Sequence, residues 1–265
     1  MSILRNATLP FLSLGLLLAG ATEPRAADPR PTSGSDRLFQ AFAEEAALIQ
    51  TQWWEGQVAF TDNDPTDSTV LRLVAAVQPF QNVEFGGRVG FGSTDAPGNI
   101  PDGSGATDLD LWGKWGFAPS GGETEFAVGA LVTVPTGDDT AGLGRDAFDF
   151  EVFGSLRHRL PKLVVSAYGG FRVNGNGSTQ GFTVEGKTSA LLGGGVIVPV
   201  SDALSWVGEV NLESERFRGG DSDFRVLGGV NWRVTSRGIV RGAISVGLTD
   251  GSPDAALTGG YAYTF

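Results

Sequence analysis

One histidine stands in the whole chain, His158 in Arg157-His158-Arg159-Leu160, and that scarcity bounds the chemistry available. Hydrolysis of an acyl chain at a membrane surface needs a histidine to take a proton from a nearby serine, with a third group orienting the ring. Position 160 is leucine rather than serine, and the strand parity worked out below puts His158 at the periplasmic end of its strand, away from the outer leaflet. Cysteine is absent, which removes thiolate nucleophiles, thiolate metal ligands and disulfides. Asp62-Asn63-Asp64 with Asp67 has oxygen-rich spacing of the kind Ca²⁺ uses. The solubility of an exposed loop accounts for the same residues more simply. No catalytic, metal-binding or cofactor-binding residue is therefore expected, and the chain does not read as an enzyme.

The remaining charged residues carry a different message, because they alternate with apolar ones. In 107–117, Leu109, Leu111, Trp115 and Phe117 point one way while Asp108, Asp110 and Lys114 point the other. In 147–158, Phe148, Phe150, Val152 and Leu156 oppose Asp149, Glu151 and Arg157; in 223–234, Phe224, Val226, Val230 and Trp232 oppose Arg225, Asn231 and Arg233. Period-two alternation is the mark of a strand with two unlike faces. An arginine on a lipid-facing strand position at the bilayer midplane costs about 2–4 kcal/mol, so a charged face repeated in strand after strand belongs to a polar lumen and the apolar face to lipid.

Twelve such strands are predicted, near 51–61, 68–78, 83–93, 107–117, 124–134, 147–158, 163–173, 182–198, 204–216, 223–234, 239–249 and 256–265. Pro79, Pro119, Pro161 and Pro199 recur at gaps of 40, 42 and 38 residues, so the repeating unit is a hairpin of two strands. Connections that follow the prolines are short; those on the other side, at 62–67, 94–106, 135–146, 174–181, 217–222 and 250–255, are longer on average. Short periplasmic turns and long outer loops are the rule for outer-membrane barrels. The fold class expected is all-β: a transmembrane antiparallel up-and-down β-barrel of twelve strands with a short N-terminal helical segment. Its lumen is expected to be lined by Arg72, Arg88, Asp108, Asp110, Lys114, Glu151, Arg172, Glu209, Arg225, Arg233 and Arg241, a nearly balanced set. The outer loops, counted with Asp223 at the edge of one of them, carry twelve aspartates against Arg145 and Arg218, a large part of the net charge of −11. Such an acidic rim disfavours nucleic acid.

Both chain ends agree. Arg5, the apolar stretch Leu9 to Leu18 and Ala19-Gly20-Ala21 read as a secretory signal peptide over 1–21, with Ala26-Ala27 as the alternative cleavage site. Residues 22–50 form a flexible N-terminal segment in which Leu38, Phe39, Phe42, Ala46 and Ile49 fall at helical spacing over 36–50. That short amphipathic helix either enters the lumen as a plug or lies outside it, on the barrel wall or the inner leaflet. The barrel itself occupies 51–265. Its last strand ends Tyr261-Ala262-Tyr263-Thr264-Phe265, resembling the terminal strand of bacterial outer-membrane barrels, in which such an ending is read by the assembly machinery. Tyr261, Tyr263 and Phe265 are the expected assembly signal, and Trp53, Trp54, Trp206, Tyr261 and Tyr263 the expected interfacial girdle. The location implied is the bacterial outer membrane, with lipid, lipopolysaccharide, the barrel assembly machinery and a small-molecule solute as partners.

One segment carries a narrower resemblance. Val134-Pro135-Thr136-Gly137-Asp138-Asp139, continued by Gly142-Leu143-Gly144, closes the fifth strand and opens an outer loop. It resembles the "MetA-pathway of phenol degradation" family of outer-membrane transporters, in which a Pro-Thr-Gly-Asp turn and a glycine-rich continuation recur at this place. The resemblance implies a transporter or channel for passive passage of small, hydrophobic or aromatic solutes, and brings no catalytic residues. The alternative is a non-conducting structural or adhesive barrel that works through its acidic outer loops.

Overall fold

The structure, a computed structural model, describes residues 37–40, 43–48, 52–63, 66–96, 102–118 and 123–265, all within one compact unit spanning 32–265. Fifteen strands form in chain order. The first eight are β1 (Trp53–Asp62), β2 (Asp67–Phe80), β3 (Val83–Asp95), β4 (Gly103–Ala106), β5 (Leu109–Phe117), β6 (Thr124–Val134), β7 (Asp149–Leu160) and β8 (Leu163–Asn174). They are followed by β9 (Gly177–Thr179), β10 (Phe182–Val184), β11 (Thr188–Pro199), β12 (Leu204–Glu213), β13 (Asp223–Arg233), β14 (Gly238–Gly247) and β15 (Ala255–Thr264).

Twelve of these are barrel staves, each antiparallel to its neighbours, and β15 returns to pair with β1 from Trp53↔Thr264 to Asp62↔Ala255. Closure leaves no sheet edge, the condition for crossing lipid without helices. No helix among the described residues is long and apolar enough to cross a membrane. Parity of the strands is as read from their alternation. Leu71, Phe91, Phe171, Leu192 and Ile244 are exposed outward, whereas Glu55, Glu84, Glu151, Arg157 and Arg241 are buried inward. An apolar exterior around a polar interior defines a membrane-spanning barrel of the outer-membrane type.

Three short strands refine the count. β4 pairs with the outer half of β3 while β5 pairs with its other half, so β4 and β5 are one stave broken at Thr107-Asp108. Thr107 bridges the break, its N–H donating to Gly90 O at 2.9 Å and its hydroxyl accepting from Gly90 N at 2.8 Å. The eighth strand, expected from 182, begins at Thr188, because 182–184 instead folds back on 177–179 as a separate hairpin in the outer loop. Gln180 at φ 48° and Gly181 at φ 80° form its two-residue turn, and two consecutive positive φ values match the twist of a tight hairpin.

The helix expected over 36–50 is not formed where the chain is described: 37–40 and 43–48 run as bends and one turn. Phe42 and Ile49 lie outside the described residues, as does the expected signal peptide. Trp53 also departs from expectation. It faces the lumen at 2% exposure, beneath the Arg37 guanidinium 4.4 Å from its ring. Trp54, one residue on, takes the girdle place with Tyr261 and Tyr263, ring centroids 6.0 and 6.4 Å away.

Candidate functional site

Residues 37–40 and 43–48 lie inside the barrel, and the lumen side chains hold them mainly by their backbone. A peptide segment without regular structure must find partners for its buried N–H and C=O groups. Here the staves supply them. Arg241 donates to Arg37 O at 2.9 Å and Leu38 O at 2.8 Å, and Asn231 donates to Arg37 O at 3.1 Å. Glu209 accepts from the N–H of Phe39 and, at 2.9 Å, from that of Gln40. Lys114 donates to Glu45 O at 2.9 Å and Ala47 O at 3.0 Å.

Charge pairing completes the hold. The Glu45 carboxylate of the segment meets Arg157 at 2.7 Å and turns back to accept from Leu38 N at 2.9 Å. Arg241 pairs with Glu55 at 2.7 Å, and Lys114 with Glu84 at 3.2 Å. Around the segment, four buried cations (Arg37, Lys114, Arg157, Arg241) thus stand with four buried anions (Glu45, Glu55, Glu84, Glu209), while the buried Asp149 and Glu151 pair further out with Arg145, Arg216 and Arg172. Balance matters because one unpaired charge buried here would cost several kcal/mol.

Apolar contacts seat the segment between opposite walls. Leu38 and Phe39 pack with Val164, Tyr168, Ile197, Val207, Leu227 and Ala243 from β8 and β11–β14. Ala43 packs with Trp53, Val74, Ala76, Trp112 and Leu131 from β1, β2, β5 and β6. Glycine makes the space: a Cβ on Gly195 would stand 2.8 Å from Leu38 Cδ2, and one on Gly229 2.9 Å from Phe39 Cε2. The segment precedes β1, whose Trp53 end lies on the short-turn side, so it enters from the periplasmic mouth.

Above this level the lumen is lined by further ion pairs, some buried and some partly exposed. Arg172 pairs with Glu151 and, at 3.0 Å, with Glu213; Arg216 pairs with Asp149 at 3.2 Å; and Arg88 bonds Asp110 through Nε at 2.9 Å. Asp110 also accepts from the Thr133 hydroxyl at 2.7 Å, and Arg225 pairs with Asp223 on its own strand. The side chains of Arg88 and Arg225 remain 38% and 31% exposed, against 0% for Arg157 at the plug.

The outer mouth is narrowed by the loop that follows β6. Asp108, expected in the lumen, instead sits at the β4–β5 break and accepts from Gly137 N at 2.9 Å, while Thr136 Oγ1 accepts from Leu109 N at 3.0 Å. Asp138 accepts from the Thr140 hydroxyl at 2.6 Å and Ala141 N at 3.0 Å, and these bonds, the hydroxyl's first, hold its pKa below the ordinary value. The tip of the loop folds against the inner face of β3, with Thr94 donating to Ala141 O at 2.7 Å. The Pro-Thr-Gly-Asp segment is thus a structural tie at the mouth.

Other singled-out residues fall as follows. Lys114, Glu209 and Arg241 hold the plug; Arg88, Asp110, Glu151, Arg172 and Arg225 line the outer half; Arg233 ends β13 at the periplasmic side, its N–H bonded to Ala203 O at 2.7 Å. Arg72 points inward from β2 and makes no hydrogen bond or ion pair among the described residues. His158 Nδ1 is 2.8 Å from Thr124 Oγ1. Asp67 accepts from Asn63 N at 3.3 Å, closing its turn; Asp64 lies outside the described residues, among which no group of three acidic, histidine or cysteine side chains converges to hold a metal. Sequence reasoning missed the plug's own Arg37 and Glu45. The available signal was two opposite charges embedded in an apolar stretch ahead of a lumen rich in both signs.

No family model matches the chain, and no curated protein matches it. Among solved structures, the COG4313 outer membrane channel from Pseudomonas putida F1 is similar with a TM-score of 0.69 at 15% identity, covering 84% of this chain and 98% of that one. NanC porin follows at 0.57 and 10% identity, over 80% of this chain and 100% of its own. KdgM porin, in complex with disordered oligogalacturonate, gives 0.54 at 9%, over 80% and 99%. At such identities the likeness is one of fold. The fold is that of an outer-membrane β-barrel, here twelve-stranded and with residues 37–40 and 43–48 in its lumen.

Proposed function

We propose that this protein is an outer-membrane channel for passive passage of small solutes, closed at rest by its N-terminal segment. The observation that carries the reading is the seating of 37–40 and 43–48 in a polar lumen, by backbone bonds to Lys114, Glu209, Asn231 and Arg241. A barrel that only braced a membrane would have no need to complete its lumen with a tethered, irregular segment. Phe153, Tyr168 and Leu227 lie inward beside the charged groups, which favours solutes with an apolar or aromatic body. Lipopolysaccharide at the acidic outer rim and the assembly machinery at the terminal strand complete the proposed partners, and no catalytic step is assigned.

Single-channel recording of the purified chain, with and without residues 37–48, tests this. The intact chain should pass little current, and the shortened one a larger, steady current. Equal, negligible conductance in both would overturn the channel reading. It would favour the non-conducting structural barrel, which the complete ion pairing around the plug also fits.

A further inference from the structure

We infer that the outer half of the lumen holds a binding site for one small carboxylate, built on Arg72 with Arg88 and Arg225. The inference deepens the channel reading and rests on it for its biological meaning, though not for its chemistry. Arg72 sits on β2 facing inward, opposite Gln57 of β1 and Gly90 of β3. Neither neighbour offers an anion. The charged groups within electrostatic reach of Arg72 are Arg88, Asp110 and Arg225. Asp110 already accepts from Arg88 and from Thr133, and Arg225 is held by Asp223.

Arg88 and Arg225 have their aspartates, with Glu44 and Glu213 acting on them at longer range, and Arg72 is left with no paired counter-ion among the described residues. Arginine is always protonated in a protein, so the charge cannot be relieved by losing a proton. None of its nitrogens is among the sealed, unbonded atoms, so the guanidinium keeps some contact with the lumen solvent. The planar guanidinium matches a carboxylate in two parallel hydrogen bonds, which a chloride ion cannot make. The far wall has the opposite bias: Arg145, Arg172 and Arg216 face Asp149, Glu151 and Glu213, with the plug's Glu44 beside Glu151 and Arg172. A carboxylate entering the vestibule is therefore drawn to the Arg72 side. Glu44 also lies within reach of Arg88 and competes weakly for the same field. The acidic outer loops do not forbid entry, because at physiological salt their repulsion is screened beyond about 8 Å.

Isothermal titration of the purified full chain in detergent with sodium benzoate tests the site, with sodium chloride as the control ion. Wild type should bind one benzoate, and Arg72→Gln should bind about tenfold more weakly or worse, the loss expected for a charge-assisted pair. Arg218→Gln, in an exposed outer loop, should bind as wild type does. Independently of any variant, benzoate should protect Arg72 of the native chain from phenylglyoxal, read by mass spectrometry; this second measurement decides the matter if Arg72→Gln does not fold. Absence of benzoate binding by wild type, equal binding by Arg72→Gln, or unprotected Arg72 would overturn the site. Conductance recorded on the same preparations separates the two readings. A protein that binds benzoate through Arg72 yet never conducts overturns the channel and keeps the site, and one that conducts with Arg72 unprotected does the reverse.

Discussion

Lys114 and Glu84 offer a way to loosen the plug while removing one buried charge of each sign. Lys114 is fully buried, holds the carbonyls of Glu45 and Ala47 at 2.9 and 3.0 Å, and pairs with Glu84 at 3.2 Å. Removing lysine alone would leave the Glu84 carboxylate buried with less compensation, and the measurement would then report that penalty. The double change Lys114→Met with Glu84→Gln removes one charge of each sign. It keeps an acceptor for Trp112 Nε1, now 3.4 Å from Glu84. What the plug loses is two charge-assisted hydrogen bonds, each worth about 1.5–3 kcal/mol, or about 3–6 kcal/mol together, and in addition the 3.9 Å pairing of its Arg37 with Glu84. At 1.4 kcal/mol per tenfold, that shifts the equilibrium between seated and released plug by roughly two to four orders of magnitude.

The chain contains no cysteine, so a single reporter can be introduced cleanly. Ala46 lies between the two captured carbonyls and is 2% exposed. Ala46→Cys should react slowly with a maleimide in the parent, because access requires local release of the plug. In the Lys114→Met/Glu84→Gln background the same cysteine should react at least a hundred times faster, with heat-modifiable gel migration unchanged. A parent cysteine that reacts at the rate of a free thiol would refute the seated plug. Equal, slow rates in both backgrounds would refute the role given to Lys114.

Phe265 donates its N–H to Gln52 O at 3.0 Å and meets Tyr263 edge-on at 5.3 Å, so deleting it should lower the folded barrel recovered in membranes; normal recovery counts against the assembly signal. Leu73→Arg places a charge on the lipid face of β2 and should destabilise the barrel by about 2–4 kcal/mol in urea titrations in lipid, a figure contradicted by an unchanged midpoint. Asp138 is held below the ordinary carboxylate pKa by Thr140 and Ala141, so its bonds stabilise the mouth loop at neutral pH and are lost as pH falls through and below that range. The protection factor of the Ala141 amide, taken relative to the intrinsic exchange rate at each pH, should fall on acidification, and Asp138→Asn should abolish that change; protection that is flat down to about pH 3 would disprove the link.

The barrel was legible because alternation is a strong constraint when one side is lipid. β6 runs Thr124–Val134, as expected, and most other boundaries fall within two or three residues. β11 was the exception: Phe182 to Val184 alternates as a strand does, but the Gln180-Gly181 turn claims it for a local hairpin. Parity alone could say which face Trp53 lies on but not what lies across the lumen, so its place under Arg37 was invisible. Asp108 was misplaced for a related reason, because alternation continues through a break in pairing and cannot show the loop that borrows the carboxylate.

The helix expected over 36–50 fails for a reason that also explains the lumen. Spacing of Leu38, Phe39 and Ala46 suits a helix, and an isolated segment of this length in water is only marginally helical. Inside the barrel the competing partners are strong: Arg241, Lys114 and Asn231 donate to its carbonyls, and Glu209 accepts from its amides. Each such bond replaces one a helix would make internally, and most involve a charged group, so they are the stronger choice. The charged lumen residues therefore do two things at once. They neutralise one another across the barrel, and they cap the backbone of a segment that has no regular structure of its own. Were that segment to leave, as the proposed channel requires, Glu45 would go with it and Arg157 would lose its 2.7 Å partner, so water and ions would have to take its place. On that proposal the side chains that hold the backbone are the same ones that would line the conducting path.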